Sequence, residues 1–162
     1  MTNKELEKKI EELSAQIEAI RGELKEKTKG AIWKPKEWEQ FWYIGANSGV
    51  NTLEFHDEYV DLVECGNAFN SKEKAEFEAN REKYTRLFRQ YVEQHSEPLD
   101  WSDGSFNKWC VYYDWQVDTI GYDNVCCMKG MGVCGSSAEV MREAVEFVGE
   151  EYVKRYILSV EE

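Results

Sequence analysis

Six apolar residues near the N-terminus, Leu6, Ile10, Leu13, Ile17, Ile20 and Leu24, are spaced 4, 3, 4, 3 and 4 apart. That is an a/d heptad seam, and Glu and Lys fill most positions between its members. The pattern predicts one helix over residues 4–27, about 36 Å long at ~1.5 Å per residue. A lone helix with so narrow an apolar stripe is marginal in water. It needs a partner, most simply a second copy of itself; the alternative is packing on its own domain. Ile10 and Ile17 at a with Leu6 and Leu13 at d favour a parallel dimer, and Ile20 at d with Leu24 at a weakens that preference. Lys29-Gly30 and Pro35 end the segment. The chain therefore divides into an oligomerisation helix, 1–30, and a second domain, 31–162.

Charge follows the same division. Residues 1–30 hold seven of the 20 Lys/Arg and seven of the 32 Asp/Glu, leaving 13 basic and 25 acidic residues in 31–162. The entire net charge of −12 belongs to the second domain. Such a surface repels nucleic-acid phosphates and attracts a basic partner. Direct DNA or RNA binding is therefore not expected. No apolar run approaches the roughly 20 residues that cross a bilayer, and the charged N-terminus has no signal-peptide core. A cytoplasmic protein without a membrane contact is expected. The five cysteines, an odd number and without a Cys-x-x-Cys pair, are read as reduced and buried thiols. A zinc site is the alternative, with Cys134 approaching Cys126 or Cys127 across a hairpin.

The second domain shows a weak internal duplication. Phe41–Ala46 is an aromatic strand, Asn47-Ser48-Gly49 a turn, and Val50–Phe55 the returning strand. A short extended piece at 62–65 follows. A helix over 72–94 then carries Phe77, Tyr84, Leu87, Phe88, Tyr91 and Val92 on one face. In the second half Trp109–Trp115 and Asn124–Met128 are strands, with a turn over 129–132. Ser136 with Glu139 caps a helix carrying Val140, Met141, Ala144, Val145 and Val148. Tyr152–Val160 ends the chain as a helical turn and a last strand. The expected fold is α+β, two ββ(β)α units whose strands join in one antiparallel sheet covered by helices.

Gly66-Asn67 before the first long helix invites a phosphate-loop reading. There is no run of glycines and no Gly-Lys-Ser, so it is punctuation, with the helix capped by Asn70 or Ser71.

These stretches also carry a resemblance. Trp33-Lys34-Pro35, Phe41-Trp42-Tyr43-Ile44, the run Gly66 to Phe77 (GNAFNSKEKAEF) and the run Val148 to Tyr156 (VGEEYVKRY) together resemble a family of small accessory proteins of Gram-positive phages and prophages. The resemblance spans roughly 31–160. The chain departs from the family pattern at Ser71, usually Thr, and at Val133-Cys134, usually an aromatic pair. The resemblance implies a phage or prophage setting, in an infected or lysogenic host, and by analogy counter-defence.

No catalytic motif is present, and neither an enzyme nor a cofactor is expected. His56, beside Glu54, Asp57 and Glu58, reads as a solvated hairpin edge rather than a base. Asp100-Trp-Ser-Asp103-Gly resembles part of a calcium loop, but its twelfth position is Val111, not Glu. The first functional expectation is a non-enzymatic protein that binds a host immune effector of the CRISPR-nuclease class through acidic residues: Glu54, Asp57, Glu58, Asp61, Asp100, Asp103, Asp114, Asp118 and Asp123. The alternative is an oligomeric sponge for a cyclic nucleotide signal, bound between copies by Arg81, Arg86 and Arg89 with Tyr43 and Tyr112. A phage structural or assembly component is the third class.

Overall fold

The computed structural model describes residues 9–10, 13–14, 16–18, 33–104, 107–125 and 132–160. Two compact units are separated at Lys34/Pro35. In the first, the described residues between 9 and 18 are helical, and Ile10, Leu13 and Ile17 are exposed. Leu6, Ile20, Leu24 and the expected stop at Lys29-Gly30 lie outside the described residues.

The second unit begins with an antiparallel hairpin, β1 (Gln40–Ile44) and β2 (Val50–Glu54). The Asn47 side chain closes its turn by accepting the Gly49 N–H at 3.1 Å. A 3-10 turn, Asp57–Tyr59, leads into a short helix, α1 (Val60–Glu64). The extended piece expected at 62–65 is thus helical. Its Val63 is buried, a position a helical turn supplies as well as a strand.

Gly66-Asn67 then has a definite structural task. The Asn67 side-chain amide accepts the Ile44 N–H and donates to the Ile44 carbonyl, both at 2.8 Å. It mimics a peptide unit at the end of β1. Two residues on, Phe69 exchanges backbone hydrogen bonds with Trp42 at 2.8 and 3.0 Å. One side-chain amide thus satisfies both backbone polar groups of the half-buried Ile44. Gly66 takes φ +78°, a turn conformation that glycine adopts without strain. Ser71, one of the two expected caps, accepts the Lys74 N–H and starts α2 (Lys72–His95).

The second sheet has the order β4-β3-β5, with β3 (Lys108–Asp114), β4 (Thr119–Val125) and the two-residue β5 (Cys134–Gly135). It is separate from β1–β2, so the single joined sheet expected from the sequence is not formed. β4 also starts five residues earlier than expected. Gly121, a residue depleted in strand interiors, argues against a strand there. Yet Gly121 sits opposite Tyr112, and a Cβ on it would lie 2.3 Å from the tyrosine ring. The glycine is there because the ring crosses it. The expected extension of that strand to Met128 and the turn over 129–131 fall outside the described residues.

α3 (Ala138–Val148) is capped by Ser137, whose hydroxyl accepts the Val140 N–H. Ser136, the expected cap, is engaged elsewhere: its hydroxyl accepts the Glu97 N–H and its N–H donates to Ser96. After Gly149, at φ +97°, one α-helical turn (Glu150–Tyr152) runs into a π-helical turn (Val153–Ile157). No terminal strand follows among the described residues.

Phe88 and Val92 of α2, Ile120 of β4, Met141, Ala144, Val145 and Val148 of α3, and Val153 form one buried cluster. Trp109 and Val111 pack on it, while Tyr112, the residue after Val111, is exposed on the other face of β3. Phe41, Val63, Phe69, Ala75 and Ala79 are buried around the first hairpin and the start of α2.

Cys110 and Cys134 face each other across β3 and β5, with Cα atoms 4.7 Å apart, and are disulfide-bonded. Cys65 is exposed. The expectation of reduced, buried thiols is corrected at these three residues. Twenty-four residues separate the pair, and only the sheet register brings them together. Cys126 and Cys127 lie outside the described residues.

Candidate functional site

One cleft of the second unit is an open cavity of about 740 Å³ between the β3–β4 turn and the C-terminal segment. Four residues, Trp115 to Asp118, form that turn. The Asp114 carboxylate accepts the Gln116 N–H at 2.9 Å, and Asp118 takes φ 54° to re-enter β4. Trp115 is left 72% exposed, its ring meeting Tyr113 edge-on at 4.6 Å. The Tyr113 hydroxyl donates to the Asp118 carboxylate.

The opposite wall is fixed from the core. Val153 is fully buried and anchors the C-terminal segment. Tyr84 of α2 stacks on Tyr152 at 4.4 Å and on Tyr156 at 5.2 Å, with ring planes within 7° and 17° of parallel. Tyr156 is buried, and Tyr152 keeps 37% of its surface exposed. A Cβ on Gly149 would come 3.0 Å from the Tyr152 ring, so the glycine lets the chain turn close beneath that wall.

Lys154 joins the two walls. Its Nζ lies 3.0 Å from Glu150 Oε1, donates to the Asp118 carbonyl at 3.4 Å and stands 5.7 Å from the Tyr113 ring centre. Glu150 chiefly raises the Lys154 pKa. The Asp118 carboxylate, as acceptor, chiefly raises that of Tyr113. Tyr152 is raised mainly by the charge of Glu151. The lining holds three carboxylates, Asp118, Glu150 and Glu151, against two cations, Lys154 and Arg155.

Of the nine acidic residues expected to bind a partner, Asp118 alone lines this cleft. Glu54, Asp57, Glu58 and Asp61 are exposed along one stretch running from β2 into α1. Asp123 accepts the N–H of Asn124 at 2.8 Å. Asp100 accepts both the N–H and the hydroxyl of Ser102, which hold its carboxyl below the ordinary range. The calcium-like loop contains a cation of its own: fully buried Lys108 donates its Nζ to the Asp103 carbonyl at 2.7 Å and lies 5.6 Å from the Trp101 ring. Among the described residues no group of three His, Cys, Asp or Glu side chains is placed to hold a metal.

The arginines of the alternative site are dispersed. Arg81 lies 3.5 Å from Glu78. Arg86 lines a polar pocket of about 270 Å³ beside Asn67 and Glu82. Arg89 lines another of about 400 Å³ with Glu93 and Trp101. Tyr43 is half-buried on β1, and Tyr112 lies over Gly121. His56 packs edge-on against Trp38 at 4.1 Å, with Nδ1 3.6 Å from Glu37.

The residues that build the cleft were missed as a site in the sequence, although Val148–Tyr156 stands out there as a motif. Two acidic residues, a tyrosine, two basic residues and a second tyrosine in that run are a usable signal. What the sequence lacks is the partner wall, which ends at Asp118, well upstream of Glu150. No family model matches the chain, and no curated protein or solved structure matches it significantly. No helix of the described residues is long and apolar enough to cross a membrane.

The Tyr113–Asp118 hydrogen bond has a pH signature. A phenol whose pKa is raised on folding contributes stability that is complete below the unfolded value of about 10. That contribution is lost as pH rises through the folded value. Tyr113→Phe keeps the ring and removes the hydroxyl. Urea midpoints of wild type and variant between pH 7 and 11 should therefore differ by a constant amount up to about pH 10 and converge above it. A difference that persists unchanged to pH 11 contradicts the assignment.

Proposed function

We propose that this chain is a non-enzymatic binding protein that occupies the basic, nucleic-acid-binding surface of another protein. The counter-defence setting implied by the phage-family resemblance makes an immune effector of the RNA-guided nuclease class the expected target. The carrying observation is the cleft, which combines an exposed Trp and Tyr with a majority of carboxylates in a domain of 25 acidic and 13 basic residues. Exposed Trp and Tyr beside charged groups are what protein-binding hot spots are made of. The acidic field steers a basic partner toward them.

Lys154 and Arg155 beside the Tyr152–Tyr156 wall favour the second reading, a nucleotide sponge, because a base stacks on tyrosine and its phosphates seek cations. Three carboxylates in the same lining oppose it.

The N-terminal segment belongs to the proposal as a parallel coiled coil. Support comes from Ile10, Leu13 and Ile17, helical and between 51% and 62% exposed. A duplicated origin of the second domain is proposed as well, supported by two hairpins that each lead to a Ser-capped helix, at Ser71 and Ser137.

Two measurements check these proposals. In a cleavage assay over a panel of RNA-guided nucleases from Gram-positive hosts, the protein should suppress DNA cleavage by at least one. Suppression should weaken with salt, as the Debye length falls from about 30 Å at 0.01 M to about 8 Å at 0.15 M. A panel left uninhibited and unbound, or inhibition indifferent to salt, contradicts the reading. In sedimentation, wild type should be a dimer at tens of micromolar, and Leu13→Asp with Ile17→Asp a folded monomer. A monomeric wild type refutes the coiled coil.

A further inference from the structure

We propose that the cleft is a seat for an arginine side chain presented by an extended basic segment of the partner. This rests on the protein-binding reading above and names the chemistry it recognises.

The first argument is the internal occupant. Lys154 already places an ammonium between a carboxylate, a carbonyl oxygen and an aromatic ring, at 3.0, 3.4 and 5.7 Å. That is the set of contacts by which a protein holds a cation. It borders a cavity of about 740 Å³, a volume within the range of about 300–1,000 Å³ that binds small ligands. The geometry selects cations, and room for another remains.

The second argument is the unused surface. Trp115 meets Tyr113 with the ring planes nearly perpendicular and is still 72% exposed, which leaves indole surface open. Tyr152 contributes a second partly exposed ring. A carboxylate has two oxygens and about four acceptor positions. The Tyr113 hydroxyl uses Asp118 Oδ1, and Lys154 uses Glu150 Oε1, so each of these groups keeps acceptor capacity. A planar donor that stacks while bonding a carboxylate edge-on fits this arrangement. Guanidinium does both, whereas a lysine ammonium is a compact point charge.

The third argument is charge. With three carboxylates and two cations the lining carries one negative charge, and removing Lys154 would make it two. The sign separates this proposal from an anion site. If the cleft seats arginine, Lys154 is a competitor and its loss strengthens binding. If it seats a phosphate, Lys154 is a ligand and its loss weakens binding.

Calorimetry with an acetylated, amidated tetra-arginine peptide, its tetra-lysine counterpart and a cyclic dinucleotide reads this directly. Tetra-arginine should bind wild type more tightly than tetra-lysine, and the cyclic dinucleotide should not bind. Lys154→Met should tighten tetra-arginine binding about fivefold. Trp115→Ala, which removes a side chain outside the core, should weaken it about tenfold, with unchanged circular dichroism. Weaker tetra-arginine binding to Lys154→Met, unchanged binding to Trp115→Ala, or tight binding of the cyclic dinucleotide overturns the proposal. Failure of the broader reading looks different. If tetra-arginine behaves as expected while the nuclease panel is untouched, the arginine seat stands and the target class is wrong. If Trp115→Ala inhibits a nuclease as well as wild type does, the target class stands and the arginine seat is overturned.

Discussion

The packing of Phe88 and Val92 of α2 against Met141, Ala144, Val145 and Val148 of α3 holds the second unit together. Phe88, Met141 and Ala144 are fully buried, Val92 nearly so. Fully burying a Val, Phe or Met side chain contributes about 1.5–3 kcal/mol. α2 is long enough to do a second job, because Ala75 and Ala79 near its start lie under the first hairpin with Phe41. Small residues there let the sheet approach the helix closely. The two sheets do not pair with each other; this helix is their common support.

The cleft inherits its rigidity from that core. Val153 belongs to the buried cluster, and the residues on either side of it, Tyr152 and Lys154, are the ones that reach the cavity. Tyr84 stacks on both Tyr152 and Tyr156, so the same helix that carries Phe88 also sets the cleft wall. The π-helical turn over Val153–Ile157 fits this geometry, since π turns recur at functional positions in helices. Lys154 then ties the C-terminal segment to the β3–β4 turn through Glu150 and the Asp118 carbonyl. The unit is acidic overall, yet this cleft holds a positive charge against an aromatic ring.

Local signals in the sequence carried well where periodicity and capping acted alone. The helix over 72–94 and the hairpin at 41–55 follow from their apolar patterns, and the structure gives Lys72–His95 and Gln40–Glu54 with minor changes at the ends. The signals failed where tertiary contact decided the outcome. Gly121 disguised β4 because the reason for a glycine there, the Tyr112 ring, sits on another strand. The capping-box spacing to Glu139 favours Ser136 in the sequence, yet Glu97 claims the Ser136 hydroxyl and Ser137 caps the helix. The Cys110–Cys134 disulfide spans a register that spacing does not reveal. The acidic residues could be enumerated but not ranked: Asp114, Asp118 and Asp123 look alike in sequence, and two of the three cap local backbone N–H groups while Asp118 faces the cleft. Lys154 and Arg155 lie in a run that stands out in the sequence, but nothing in that run discloses the opposing Tyr113 and Trp115.

Cation recognition by this protein is proposed to be concentrated in one cleft rather than spread over the acidic surface. The most direct test is a residue-resolved NMR titration of the full chain with tetra-arginine, following the six tryptophan indole N–H signals and the backbone amides. The account predicts that the Trp115 indole and the amides of Asp118, Tyr152 and Lys154 move together and saturate together, while Trp38 and the stretch from Glu54 to Asp61 stay in place. Shifts confined to Glu54–Asp61, with Trp115 unmoved, would contradict it.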